Sequence, residues 1–273
     1  MTLSQWQRLA KNVGVWQGSF TRFSPTAELQ SDLPSQVTLT LTDADRQMEQ
    51  TVKKGDSPPQ VWSYRTLGRG VLFCENGAFS NGSLQWSPTG SFGAELGLIT
   101  ELGRLRVAIV YESVEGRSQL GYGVLIRETN AAQPGDWISR TWQPETLVGT
   151  WNGTAETLFP DYRPEQTAVT RLTLETSGAD RLRQRLETDS GLVLESTGRI
   201  SDRLVLFNEG AQPNQVMVLP GGASVTCPRH ITPGQPFGLE VGWLIDENRR
   251  QRLIRRYDAS GGWSSLTLVR ESR

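Results

Sequence analysis

Two short stretches decide how this chain is read: GVWQGSF, Gly14 to Phe20, and GTWNGTA, Gly149 to Ala155. Each sets a tryptophan between glycines at the head of a strand-like run, and the two indoles stand 135 residues apart (151 − 16). Glycine allows the strong bend and close backbone approach needed where a first strand curls beneath a barrel. Each tryptophan is therefore expected to plug one end of a barrel.

Self-comparison extends the match in unbroken order. VLFCENG from Val71 pairs with VLFNEG from Val205, and SFGAELGL (Ser91 to Leu98) with PFGLEVGW (Pro236 to Trp243). RLRVAIVYE from Arg104 pairs with RQRLIRRYD from Arg250, and GVLIRE from Gly123 with LTLVRE from Leu266. The offset jumps from 134 (205 − 71) to 145 (236 − 91), which places extra residues around AQPNQVMVLPGG, Ala211 to Gly222, in the second copy. The chain is a tandem duplication. Its expected organisation is a first barrel over 1–130, a connector over 131–145 and a second barrel over 146–273. The join falls on the polar TNAAQPGD (Thr129 to Asp136), and Trp137 and Trp142 suit a connector packed against a barrel.

Between these markers the hydrophobic period is two. VTLTLT (Val37 to Thr42) puts Val37, Leu39 and Leu41 on one face, and RLTLET (Arg171 to Thr176) does the same with Leu172 and Leu174. Such half-polar strands suit antiparallel sheets with one wet side. Only SQWQRLAKN near the start reads as helix, with Ser4 as cap. The pattern predicts an all-β chain: two tandem antiparallel up-and-down barrels and a short N-terminal helix. The spaced Cys, Trp and Cys of an immunoglobulin-type sandwich are missing.

Composition narrows the function classes. Lys and Arg number 28 against 29 Asp and Glu, a formal net charge of −1, so no global field draws the chain to nucleic acid or an anionic membrane. No apolar run is long enough to cross a bilayer as a helix, and MTLSQWQRLAKN lacks the apolar core of a signal peptide. A soluble cytoplasmic protein is the expectation. Cys74 and Cys227, the two cysteines, sit in strand-like apolar settings and read as buried thiols, with no metal site expected. His230 is the single histidine, and there is no G-x-G-x-x-G before a helix, P-loop or G-x-S-x-G. No catalytic residue and no cofactor is predicted, and the balance leans away from an enzyme.

Gly-x-Trp at the head of the first strand, with an arginine near the end of the last, resembles the calycin or lipocalin pattern. In that family the arginine lies over the tryptophan and seals the closed end. The resemblance implies Arg127 over Trp16 and Arg270 over Trp151 as barrel-closing pairs, a cation–π contact of about 1 kcal/mol. The whole chain resembles the tandem lipocalin-like family of unassigned function from cyanobacteria and plastids, the DUF3598 type, chiefly through FGLEVGWLIDENRRQRLIRRYDASGGWSSLTLVRE in the second copy. More faintly, the same tail is similar to the S-type and T-type phycobiliprotein lyases, single barrels that carry bilins. The shared pattern is Glu240 and Trp243 on one strand with Arg250 and Arg252 on the next.

Period-two counting puts Arg250, Arg252, Ile254 and Arg256 on one side of their strand, and Gln251, Leu253, Arg255 and Tyr257 on the other. Arg250 and Arg252 either project into a cup to hold a ligand's carboxylates or pair with acidic neighbours such as Glu240. Aromatic candidates for a ligand-lined wall are Trp62, Tyr64, Trp86 and Tyr122 in copy one and Trp243, Tyr257 and Trp263 in copy two. The expected function is a non-catalytic carrier for a hydrophobic anion, with a bilin or chlorophyll-type tetrapyrrole ahead of a lipid. The alternatives are an assembly factor with solid barrels that binds a protein partner, and a bilin lyase.

Overall fold

The computed structural model describes residues 3–132 and 136–273. Part of the expected connector, 133–135, lies outside the described residues. A capping box opens the chain: Ser4 accepts from the Gln7 amide and starts a five-residue helix, α1 (Gln5–Leu9). A 3-10 turn over Ala10–Asn12 follows, and the Asn12 side-chain amide donates to the Gly77 carbonyl at 2.9 Å.

That sheet has nine strands: β1 (Gly14–Phe23), β2 (Leu29–Thr42), β3 (Gln47–Lys54), β4 (Gln60–Tyr64), β5 (Val71–Phe73), β6 (Phe79–Gly82), β7 (Phe92–Thr100), β8 (Gly103–Val114) and β9 (Arg117–Asn130). All pairs are antiparallel neighbours, and β1 also pairs with β9. The sheet runs β4-β3-β2-β1-β9-β8-β7-β6-β5, so it curls round but stays open between β4 and β5. The second sheet comprises β10 (Gly149–Leu158), β11 (Gln166–Thr176), β12 (Arg181–Thr188), β13 (Val193–Ser201), β14 (Leu204–Phe207), β15 (Asn214–Val218), β16 (Ala223–Cys227), β17 (Phe237–Leu244), β18 (Arg249–Tyr257) and β19 (Trp263–Ser272). It closes fully as a ten-stranded barrel.

The two tandem antiparallel barrel sheets are as expected, the first a nine-stranded half-barrel open between β4 and β5 and the second closed. The extra residues of the second copy carry β15, which pairs with β14 and β16. β13 is long enough for Arg199–Ser201 to pair with β14. In copy one β4 stops at Tyr64, and the glycine-bearing RTLGRG (65–70) intervenes before β5. Glycine weakens a strand there, and the seam is left unpaired.

The glycines flanking each tryptophan have distinct duties. Gly14 and Gly149 take φ of +144° and +135°, values L side chains rarely adopt. Gly18 lies so close to β9 that a Cβ would sit 1.7 Å from the Arg127 carbonyl oxygen. The chain can enter the sheet and cross β9 only with glycine at both places.

The largest apolar core lies between the two sheets rather than inside either. Leu105, Val107 and Ile109 of β8 and Leu239, Val241 and Leu253 of the second sheet are all essentially solvent-free within it. Separate cores line the two interiors, around Trp16, Val37 and Leu39 in one and Trp151, Leu172 and Leu174 in the other. The halves meet through a pseudo-twofold axis. The Tyr111 hydroxyl donates to the Pro228 carbonyl at 2.5 Å, and the Tyr257 hydroxyl donates to the Ser83 carbonyl at 2.9 Å. The Gln119↔His230 bridge is mirrored by Gln85↔Gly262. Phe92, Phe237, Tyr111 and Tyr257 cluster on the axis, with Phe237 stacked on Tyr257 at 4.8 Å. This is the self-complementary geometry of an isologous dimer, built here within one chain.

Candidate functional site

The inward face of each sheet is built on its tryptophan. Trp16 Nε1 donates to the Asn12 carbonyl and Trp151 Nε1 to the Leu147 carbonyl, both at 2.9 Å. Each indole is therefore fixed by the 3-10 turn that precedes its strand. The guanidinium over Trp16 is that of Arg104, 4.3 Å from the ring. Over Trp151 lie Arg250 at 4.7 Å and Arg273 at 4.4 Å.

The expected pairs, Arg127 with Trp16 and Arg270 with Trp151, are corrected by this geometry. Arg127 donates to Ser19, Thr21 and the Ile138 carbonyl, and Arg270 pairs with Glu156 at 3.1 Å. The physical reason is strand alternation. A one-residue step along a strand reverses the face, so the inward residues of β9 and β19 are the next ones, Glu128 and Glu271.

Those two carboxylates centre a duplicated buried ion cluster. Glu128, with no exposed surface, accepts from Arg104 Nε at 3.0 Å and from Arg106 Nε and Nη2 at 3.0 and 2.9 Å. Arg106 turns its remaining Nη1 edge to Glu95. In the second barrel Glu271 accepts from Arg250 Nε at 2.7 Å and from Arg252 Nη2 at 2.8 Å, while Arg252 Nη1 reaches Glu240 at 3.2 Å. Burial alone would raise the Glu128 pKa, but Arg106 and Arg104 outweigh it and hold the carboxyl below its ordinary value. Arg252 and Arg250 do the same for Glu271. Burial pushes Arg104 down to about 10, which leaves it cationic at neutral pH. Each cluster holds two arginines and two glutamates and is neutral as a whole.

The interiors differ in one decisive respect. In copy one a cavity of about 340 Å³ opens beside the cluster. Its apolar wall includes Leu9, Val37, Leu39, Phe73 and Phe79, and its polar points are Asn12, Gln50, Tyr64, Asn81, Glu95, Arg104 and Arg106. Thr66, Leu67, Gly68 and Val71, from the unpaired β4–β5 seam, line it too. In copy two the matching space beside Glu240, Arg250 and Arg252 is about 60 Å³, taken up by Leu174, Leu182, Phe207 and their neighbours.

Of the aromatic candidates, only Tyr64 lines this cup; its hydroxyl donates to Gln50 at 3.3 Å, and its ring meets Trp6 edge-on. Trp62 stays 46 % exposed near the hairpin. Tyr122 carries Arg22 over its ring at 3.6 Å. Trp86, Trp243, Tyr257 and Trp263 all belong to the core between the halves. Trp243 lies 4.6 Å from Trp137 of the connector, and Trp263 lies 3.5 Å beneath the Arg255 guanidinium. Glu240, Arg250 and Arg252 come together, as counter-ions rather than as free ligand groups. Sequence reasoning missed Glu95, Glu128, Gln50 and Asn81. The repeated Arg-Glu ending of GVLIRE and LTLVRE was the available signal for Glu128 and Glu271.

Both cysteines are buried, and burial pushes their thiols up to about 12, which suppresses the reactive thiolate. Among the described residues no group of three or more His, Cys, Asp and Glu is arranged to hold a metal, and no helix is long and apolar enough to cross a membrane.

Fold and site together define a duplicated antiparallel β-barrel protein with one open cup and one filled barrel. The chain belongs to the DUF3598 family. Residues 2–133 match the family's N-terminal domain of unknown function, and residues 132–273 match the domain described as biogenesis factor required for ATP synthase 1, C-terminal domain. A crystal structure of a DUF3598 protein of unknown function from Nostoc punctiforme is 37 % identical, with a TM-score of 0.94 and 99 % of each chain covered. The S-type phycobiliprotein lyase of Guillardia theta shares 14 % identity at a TM-score of 0.35, over 47 % of this chain and 89 % of its own. Among curated proteins there is no match.

Proposed function

We propose that the chain is a binding protein that holds a hydrophobic small molecule in the cup of its first half. The supporting observation is the contrast between two copies of one design: about 340 Å³ of space in one interior and about 60 Å³ in the other. The larger volume falls within the range of small-molecule sites, roughly 300–1,000 Å³, near its lower end. Its wall is apolar with a few convergent polar groups, as such sites usually are. An acyl chain fits such a space, which puts lipid ahead of a bilin or chlorophyll-type tetrapyrrole; an open tetrapyrrole would have to leave part of itself outside the seam. The lyase alternative finds little support, because Glu240 and Arg252 are bound to each other in the filled barrel.

The test is to narrow the mouth at Gly68, which lines the cup and where an added side chain meets nothing within 4 Å. Gly68→Trp, at the seam, is expected to weaken binding of 1-decanol at least about tenfold by isothermal titration calorimetry, with the unfolding midpoint kept. Absence of binding to decanol, other single-chain lipids and bilins by the unaltered protein would remove this reading.

A second reading, a factor in protein assembly, rests on the family match over residues 132–273. It would use the outer rim of the filled barrel, where Tyr162, Val169, Leu192, Val193 and Leu194 are exposed. If so, tagged protein retains ATP synthase subunits from its host, and Val193→Asp lowers their recovery several-fold. Recovery unchanged by the variant would exclude this rim.

A further inference from the structure

The cup's charge arrangement speaks to the class of ligand it accepts, and the inference depends on the cup being a binding site at all. Both arginines that line the cavity are held by carboxylates, and the loosest edge is Arg104 Nη1, which reaches the neutral Asn12 Oδ1 at 3.4 Å. Arg106 gives Nε and Nη2 to Glu128 and Nη1 to Glu95, and Arg104 is held by Glu128 beneath Trp16. Two cations and two carboxylates cancel, so an entering anion meets no net positive charge, and every Arg106 donor edge is already taken by a carboxylate. Moving an unpaired charge into such a space is costly. The remaining polar points, Asn12, Gln50, Tyr64, Thr66 and Asn81, are neutral groups suited to a hydroxyl or carbonyl.

We infer that the cup selects an uncharged single-chain amphiphile, with a hydroxyl or ester-type head, and that Glu95 is the residue that excludes the matching carboxylate. Glu128 is fully enclosed, whereas the Glu95 side chain retains 27 % exposure and lines the cavity. It occupies the one edge of Arg106 that a ligand carboxylate could reach. The second barrel supplies an internal control: Glu240 holds Arg252 in the same way, with no comparable room beside it.

The experiment measures dissociation constants for 1-decanol and decanoate at pH 8 by isothermal titration calorimetry, on the intact chain. The unaltered protein is expected to bind decanol at least about tenfold more tightly than decanoate, the worth of one charge-assisted hydrogen bond left unmade. Glu95→Gln frees Arg106 and leaves the cup one positive charge in excess, so the preference reverses; Glu240→Gln leaves it as it was. Equal binding of both ligands by the unaltered protein overturns the inference while leaving the binding function intact. So does a Glu95→Gln ratio that does not move, or a Glu240→Gln ratio that moves equally. No binding of decanol overturns the binding function itself. Should Glu95→Gln lower the unfolding midpoint too far for titration, the ratio in the unaltered protein decides alone.

Discussion

Glu128→Gln lowers the unfolding free energy by about 3–5 kcal/mol, the usual cost of removing one partner from a buried ion pair. The carboxylate is fully enclosed and is the shared counter-ion of Arg104 and Arg106. A neutral amide cannot balance two largely buried guanidinium groups, and Glu95 reaches only one of them. Urea unfolding followed by circular dichroism measures the change, and a loss below about 1 kcal/mol would show that the cluster is not a true buried charge centre. The same substitution carries a pH signature. The folded pKa of Glu128 is depressed, so its stabilising contribution is fully present above the unfolded value of about 4.3 and is lost as pH falls through the lower folded value. The unaltered protein therefore sheds stability in acid faster than Glu128→Gln, and the two stability curves draw together as pH falls from the unfolded value through the lower folded one.

The second large effect is expected at Arg255. Its guanidinium is wholly buried in the core between the halves, and its partners include no carboxylate. The positive charge is held by the carbonyls of Gly70, Gly82 and Ser83, by Ser80 Oγ and the Tyr257 hydroxyl, and by the face of Trp263. Burial lowers its pKa from the ordinary value, with Tyr257 opposing the shift. Arg255→Met keeps much of the packing volume but removes five donor contacts, to the Gly70, Gly82 and Ser83 carbonyls, Ser80 Oγ and the Tyr257 hydroxyl. Of these, the Gly70 and Ser83 carbonyls keep another donor, in the Gly82 amide and the Tyr257 hydroxyl. A total loss of about 2–4 kcal/mol is expected. Arg255→Lys recovers little of it, because one ammonium cannot span a cradle shaped for a planar fork. Loss of Trp emission change on unfolding at the usual urea concentration would report the same weakening. A midpoint unmoved by Arg255→Met would mean that this cradle adds nothing to the hold between the halves.

Much of the architecture was legible from the residues. The paired Gly-x-Trp runs located both first strands, and the jump in offset marked the extra residues of the second copy, although the strand that closes its sheet is β14, which bridges β13 and β15. Period-two counting put Arg250 and Arg252 on the face that turns inward. Counting could not say which face of a strand meets a barrel interior and which meets the other half. On β8 and β18 both faces are covered, and Tyr257, Trp243 and Trp263 carry the apolar character of an interior wall while packing between the halves. The arginine over each indole was displaced for a related reason. Arg127 and Glu128 are neighbours in sequence but opposite in direction, and the ring is met from β8. The cup itself depends on a hydrogen-bonded pairing that does not form, and a missing pairing leaves little trace in composition beyond the glycines at 68 and 70.

The internal twofold axis has a consequence for how such a molecule can diversify. In a pair of identical subunits, any change to one hollow is imposed on its mate. Joining the two in a single polypeptide releases them from that equality while retaining the shared buttress of Phe92, Phe237, Tyr111 and Tyr257. One module can then gain a strand and solidify into a scaffold, and the other can remain vacant and free to specialise.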